Sequence, residues 1–351
     1  MGVQRCYVAT AADEGKRLDS LLADAGLYAS RSAAAKAVER GLVLVAGKPA
    51  TKKQQVSAGQ AVVYELEDAP VASLEGEPID LDIRYEDQDL IVLSKQVGLV
   101  CHPSGDHLDG TLVNALIHHC GIQNLCKVQG EEDDRRGIVH RLDMNTSGLM
   151  LAAKSNEAGY ILMDDIRARV VDRHYLALVH GIVAHDSGMI DAPITRSTSD
   201  RKRMAVKDVP QARNAVTTFR VLERFDAGPK DDGFTLVDCK LFTGRTHQIR
   251  VHMEYAKHPL VGDPVYTSNG PKTASAQLGL ERQFLHSYKL GLDHPITQEH
   301  LEFADNLPAD LQEALDSLAG RSRGRTEAGE QVFALLAESP VPCVQGTVNF
   351  S

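Results

Sequence analysis

GIVHRLDMNTSGLMLAAKS, residues 137–155, is the stretch on which the reading of this chain turns. Gly137-Ile138-Val139 leads in, Leu149–Ala153 is a strand-like apolar run, and between them lies a short polar turn. That turn sets a carboxylate, Asp143, directly behind a cation, Arg141. An acid held between two buried strands is expensive unless it is paired and hydrogen-bonded. With a reference pKa of about 3.9 it is ionised at neutral pH and needs no general base to become a nucleophile. Once desolvated, it does need a cation to stay charged. Taken alone, an aspartate in a Thr-Ser-Gly turn is more often just turn chemistry, so functional weight has to come from the rest of the chain.

The segment Thr243-Gly244-Arg245-Thr246-His247-Gln248-Ile249-Arg250-Val251-His252-Met253 supplies it. Ile249 and Met253, four residues apart, define an apolar face of a helix predicted over 245–256, and Arg245 and Arg250 cannot both face that core. The surplus of Arg and His points at an anion, either a phosphate or Asp143. Tyr175 lies in RHYLALV, residues 173–179, a predicted strand whose alternation can turn the ring into a site or into the core.

The formal net charge of −10 argues against a nucleic-acid partner only superficially. Residues 65–89 hold ten acids against one base, Arg84, and with Pro70, Gly76 and Pro78 they read as a solvated linker. Elsewhere the balance reverses: eight bases and three acids in 16–53, and five bases and one acid in 196–207, including Arg201 and Arg203. Local fields guide a polyanion, so such patches in an acidic protein favour RNA. The six cysteines have no CxxC spacing and read as reduced thiols. The first residues lack the apolar core of a secretory signal and no run is long enough to span a membrane, so a cytoplasmic protein without a membrane partner is expected. His118-His119-Cys120 and Cys126 match no standard zinc spacing, and no metal is expected. No glycine-rich phosphate loop is apparent, which lowers the weight of nucleotide-cofactor enzymes.

Residues 15–68 read as a small α/β module. Leu18, Leu21, Leu22 and Ala25 recur at helical spacing, Ser30 caps a second helix over 31–39, and strand-like 42–45 and 60–64 follow. The second helix and its end carry Arg31, Lys36 and Arg40. An acidic linker is expected over 69–84, a catalytic domain over 85–320, and a tail over 321–351 with one short helix near 328–337. Within 85–320, strands are predicted at 89–94, 148–153, 174–180, 215–222, 234–242 and 283–290, and further helices at 111–119, 156–168 and 308–318. Strands arriving in runs, without regular βαβ alternation, favour an α+β fold with a mixed, mainly antiparallel sheet and flanking helices.

These motifs together resemble the RluA/RluD family of pseudouridine synthases. The matching stretches are DLIVLSKQVGLVCHP (89–103), GIVHRLDMNTSGLMLAAKS (137–155), RHYLALVHG (173–181), RKRMAV (201–206) and TGRTHQIRVHM through GDPVY (243–266). The 15–68 module, with Arg17-Leu18-Asp19 at its start and GLVLVAGK at 41–48, resembles the S4 RNA-binding domain. One departure is visible: Gln96 stands where the family usually has proline, which bears on the rigidity of that loop. The resemblance implies the pseudouridine synthase fold and isomerisation of uridine without a metal or redox cofactor. Residue by residue, it implies that Asp143 is the catalytic aspartate, acting at ribose C1′ or C2′ or, in an older scheme, at uracil C6. Arg250 would then be its paired cation, Tyr175 the ring stacked on the target base, and Arg141 the side chain that fills the space of the flipped base. His140, Thr146, Arg245, His247, Arg201 and Arg203 complete the expected substrate-binding set, with Arg31, Lys36 and Arg40 on the S4-like module. That module implies large-subunit ribosomal RNA more than transfer RNA. CHPSGDHLDGTLVNALIHH (101–119) is similar to the RluD-like branch, which implies the helix 69 stem-loop; a monomer is expected. The competing readings are a transfer-RNA synthase, a non-catalytic RNA-binding or ribosome-assembly factor, and a glycosidase-like hydrolase. The last needs a second carboxylate about 5–10 Å away, which the motifs do not clearly supply.

Overall fold

A computed structural model describes residues 3–28, 31–51, 53–66, 74–104, 107–127, 135–200, 203–267 and 278–338. The chain divides into two compact units, Met1–Val71 and Ala72–Ser351.

The first unit contains β1 (Val3–Val8), α1 (Leu18–Asp24), α2 (Arg31–Glu39), β2 (Val43–Val45), β3 (Lys48–Pro49) and β4 (Ala61–Leu66). Its antiparallel sheet runs in the order β1-β4-β2-β3. Leu18, Leu21 and Leu22 of α1 and Ala34, Ala37 and Val38 of α2 pack on Val43, Val45 and Val62. The expected helix-helix-hairpin order is therefore present. Ala46 and Gly47, at φ 49° and 77°, form the left-handed turn between β2 and β3 that suits strand twist. Strand β1, ahead of the expected boundary at residue 15, pairs along its length with β4. It is an edge strand whose Arg5, Cys6 and Val8 are exposed, so it carries no clear burial pattern.

The second unit is built on one ten-stranded sheet. Its path is β16 (Ser322–Arg325), β12 (Val216–Phe225), β13 (Phe234–Leu241), β8 (Asp172–His180), β14 (Leu285–Asp293), β7 (Ser147–Ala153), β6 (Leu90–Lys95), β5 (Asp82–Glu86). β15 (His300–Ala304) adds to β14 and β9 (Ser187–Asp191) to β12, while β10 (Ile194–Arg196) and β11 (Met204–Val206) form a separate hairpin. All pairings are antiparallel except β14 with β7, so the mixed, mainly antiparallel sheet is found. Strand alternation sends Tyr175, Ala177 and Val179 of β8 to one core. Leu176 and Leu178 go to another. The first core is covered by α3 (Leu112–Cys120) and α5 (Gln248–Tyr255), and the opposite face by α4 (Asn156–Ala168), α6 (Ala309–Asp316) and α7 (Glu327–Glu338).

At the β7–β14 crossing the backbones nearly touch. A Cβ on Gly148 would lie 2.2 Å from the Ser287 carbonyl oxygen, so only glycine fits there. The parallel contact, Ser147 with His286 and Gly148 with Ser287, hangs the preceding turn at the end of the sheet.

Three expectations need correction. The acidic segment does not run as a free linker to 84: Leu74, Ile79 and Leu81 pack on the core and β5 begins at Asp82. Its acids are turned to use, Glu77 accepting from the Gly110 N–H at 2.8 Å. The segment after 320 is no tail as far as 338. β16 pairs with β12, and α7 drives Val332 and Leu336 into the core beside Leu222. Ser-Arg-Gly-Arg has no apolar residue and is held by backbone pairing, so nothing in its side chains marks it as a strand. Finally, the helix predicted over 245–256 begins at Gln248, because His247 is left-handed at φ 56°. Among the described residues, no helix is long and apolar enough to cross a membrane.

Candidate active site

The His140–Ser147 turn is braced from every side. Lys95, buried at the end of β6, donates through Nζ to the carbonyls of Gln96 (2.8 Å), Leu99 (3.0 Å) and Met144 (3.1 Å). Burial pushes the Lys95 ammonium down to about 8. The Gly98 N–H also donates to Met144 O, Arg282 Nη1 to Asn145 O, and Gln283 Nε2 to Thr146 Oγ1. Thr146 donates its own N–H to Asp143 O at 3.0 Å, closing the turn. Thr146 thus lies buried at the foot of the turn with its hydroxyl engaged.

The Asp143 carboxylate itself is 18% exposed and accepts from Arg250 Nη1 at 2.9 Å. Arg250 sits in the first turn of α5, where Ile249 and Met253 anchor the helix in the core. Its other edge is held by Asp263, Nε to Oδ2 at 2.7 Å and Nη2 to Oδ1 at 3.0 Å. Asp263 is wholly buried and also accepts the N–H groups of Val265 and Tyr266. Burial works against the Arg250 charge, yet Asp263 and then Asp143 outweigh it and hold the guanidinium above its ordinary value. The cation is fixed before substrate arrives.

Asp143, Tyr175, Arg141, His140, Arg245 and Arg250 all line one cavity of about 440 Å³. Tyr175 is buried on its wall, and burial raises the phenol pKa, so the ring stays neutral. Arg141 is exposed at the rim, with Nη2 donating to Thr246 Oγ1 at 3.3 Å. His140 Nε2 accepts the Leu151 N–H at 2.9 Å, and burial first and Arg173 second push the imidazole down to about 3.

The surplus charge of the 243–253 segment divides at the turn before α5. Gln248 organises that turn, its Oε1 accepting from Thr243 Oγ1 and from the Arg245 N–H, and its Nε2 donating to Val216 O and Thr217 Oγ1. Arg245 therefore lies outside the helix and donates through Nε to Asn214 O at 3.0 Å. His247 shares a hydrogen bond with the Tyr266 hydroxyl at 2.9 Å, and burial lowers its pKa. Tyr266 lies between the guanidinium carbons of Arg203 and Arg250, each 5.1 Å from the ring centre. Arg203 also pairs with Glu254. Arg201 and the side chain of Lys36 lie outside the described residues. In the first unit Arg31 and Arg40 are exposed, Arg31 lying 3.7 Å from Asp19. Asp263, Tyr266 and Arg173, to which the sequence assigns no role, complete the surroundings. Their stretches, GDPVY and RHYLALVHG, are visible in the chain, but their pairing partners are not.

A carboxylate clamped by a buried arginine at the foot of a basic cavity, with a tyrosine on the wall, has the geometry of an enzyme site. Comparison with known proteins narrows this. The RNA pseudouridylate synthase family model matches residues 89–255 and the S4 domain model residues 16–62. An uncharacterized RNA pseudouridine synthase of Bacillus subtilis is 43% identical over 311 residues, covering 88% of this chain and 97% of that one. Ribosomal large subunit pseudouridine synthase D of Nitrosomonas europaea is 43% identical over 307 residues (87% and 85%). The protein of that name from Pseudomonas aeruginosa is 41% identical over 304 residues (85% and 90%). The solved structure of human RNA Pseudouridylate Synthase Domain Containing 1 shares the fold, with a TM-score of 0.54 at 24% identity, over 78% of this chain and 99% of that one. The chain belongs to the RNA pseudouridine synthase family and is an enzyme of that class, with an S4 domain ahead of its catalytic unit.

Proposed function

We propose that this protein acts in the cytoplasm as a monomer, converting uridines of large-subunit ribosomal RNA, in the helix 69 stem-loop, to pseudouridine. The observation that carries the chemistry is the Asp143–Arg250–Asp263 clamp opening into the cavity that Tyr175 lines. The choice of RNA rests on the names of the relatives, the S4 domain, and the likeness of residues 101–119 to the RluD-like branch.

The target base is flipped out of its stack into the cavity, since its glycosidic bond is out of reach inside folded RNA. Exposed Arg141 takes the vacated space, and Tyr175 offers a face for stacking, worth roughly 1–3 kcal/mol per base. Asp143 then assists cleavage of N1–C1′, either by adding its oxygen to C1′ or by taking the C2′ proton. The base turns, C5 bonds to C1′ as the Asp143 O–C1′ bond breaks or the proton returns to C2′, and the C5 proton leaves. Arg250 keeps Asp143 aimed throughout, and Asp263 keeps Arg250 from following the carboxylate.

The test uses an RNA transcript labelled with tritium at uridine C5. Wild type is expected to release tritium, and Asp143→Asn to release none while still binding the transcript. Undiminished release by the variant would remove the catalytic assignment. Mapping pseudouridine in ribosomal and transfer RNA from cells lacking the protein tests the substrate. Loss confined to transfer RNA would overturn it.

A further inference from the structure

Arg173 is the buried charge that the mechanism above does not use. It lies on β8 two residues before Tyr175, on the same face of the strand, and is 3% exposed. Its Nε and Nη2 are enclosed and have no hydrogen-bond partner, and no carboxylate among the described residues pairs with it. Three other arginines that line the cavity are engaged: Arg250 by two aspartates, Arg245 by a carbonyl, Arg141 by a hydroxyl. Arg173 reaches from β8 towards the TGRTHQ turn, its Nη1 3.5 Å from where a Cβ on Gly244 would sit. His140 is close enough to feel its charge, and there too a buried nitrogen, Nδ1, has no partner. Because His140 Nε2 accepts from Leu151, neutral His140 carries its proton on that orphaned Nδ1.

A buried guanidinium without an anion is costly, and one that lines a cavity is a candidate ligand contact. The group that enters is the uracil ring, whose edge carries two carbonyl oxygens. It also becomes an anion during the reaction: when N1–C1′ breaks, the bonding pair leaves with the base and spreads over N1 and its carbonyl oxygens. Asp143 supplies the balancing electrons, as a new O–C1′ bond or by taking the C2′ proton. The pair returns when C5 bonds to C1′: the O–C1′ bond breaks with its electrons going back to Asp143, or Asp143 returns the proton to C2′, and C5 then loses its proton.

We propose that Arg173 is the cation that receives the departing uracil, donating to one of its carbonyl oxygens and offsetting the negative charge formed on it. The inference rests on Asp143 acting at the ribose. If Asp143→Asn retained turnover that reading would fall first, whereas the outcomes below concern Arg173 alone.

The probe is an in vitro transcript of the helix 69 stem-loop carrying uridine or 5-fluorouridine at the target, with full-length enzyme. Arg173→Met is expected to slow single-turnover conversion at saturating RNA by roughly 10²–10³-fold, with Kd within about threefold. Arg173→Lys should recover part of the rate. On 5-fluorouridine, whose ring carries negative charge more readily, the gap between Arg173→Met and wild type in forming the C5-linked product should narrow. Because the charge is unpaired in the free protein, Arg173→Met should melt no lower than wild type. An unchanged rate would overturn the proposal. So would a loss confined to Kd with a shallower salt dependence, which marks a phosphate contact. A lowered Tm in both variants, which marks a structural guanidinium, would also overturn it.

Discussion

Arg250 commits one edge of its guanidinium to Asp263 and its remaining Nη1 to Asp143. The two aspartates are not equivalent: Asp263 is sealed and holds four N–H groups, while Asp143 is partly open and holds the one ion pair. Removing one partner from a buried pair leaves the other charge uncompensated, typically at a cost of about 3–5 kcal/mol. Asp263→Asn is therefore expected to lower stability to urea by about 3 kcal/mol and to slow single-turnover conversion while RNA binding holds. An unchanged unfolding midpoint with an unchanged rate would show that the clamp does not matter. The candidate pair itself was legible. A carboxylate in an apolar setting and an arginine surplus on a helix each ask for a partner, and Asp143 and Arg250 answer one another. Asp263 and Arg173 were not legible, because nothing in GDPVY or RHYLALV says which charge is paired. Burial and pairing are decided across elements that lie far apart in the chain.

Elements were read well where burial imposes a period and poorly where it does not. Strand β8 and helices α3 and α4 stand where their apolar patterns put them, whereas β16, β9 and β1 lie at edges and carry no such pattern. The β7–β14 crossing, which supports the Asp143 turn, shows what a period cannot reveal: one buried polar pair. Ser147 Oγ lies 3.0 Å from His286 Nδ1, and His286 Nε2 faces the Asp305 carbonyl at 3.3 Å. Burial pushes His286 down to about 4 despite the Asp305 carbonyl, helped by the charges of Arg282 and Arg84 and opposed by Asp310. The Asp305 carboxylate, 3.6 Å from His286 Nε2, is engaged by Arg84 and Ser94, and burial keeps the ring neutral. Between the ordinary pKa of about 6.5 and about 4, the unfolded chain protonates this histidine and the folded chain does not. Stability should thus fall as pH drops through that window, by on the order of 3 kcal/mol from His286. Urea unfolding at a series of pH values is the check, and His286→Asn should flatten the slope there. Equal slopes for variant and wild type would exclude His286 as the source.

At the scale of the whole molecule, a net charge of −10 has to be reconciled with an RNA substrate. The acids of 74–89 are drawn into the catalytic unit, where Glu86 meets Lys154 and His119, and Asp87 meets His294 and backbone N–H groups. They serve structure there, while Arg31 and Arg40 of the first unit and Arg141 at the cavity rim stay exposed. The first unit also has its own core, and the described residues of the two main cores of the second run from Leu74 onward. Removing residues 1–71 should therefore leave the second unit folded, with its melting transition preserved and single-turnover conversion persisting at saturating RNA. Affinity should fall, and the log–log slope of binding against salt should become shallower by roughly 0.7–0.9 for each phosphate that the first unit neutralises. Filter binding at several salt concentrations, with full-length and shortened protein, measures both quantities. A slope that did not change would mean that the first unit holds no phosphates. RNA recruitment would then belong to the catalytic unit alone, and its exposed arginines would be the next to remove.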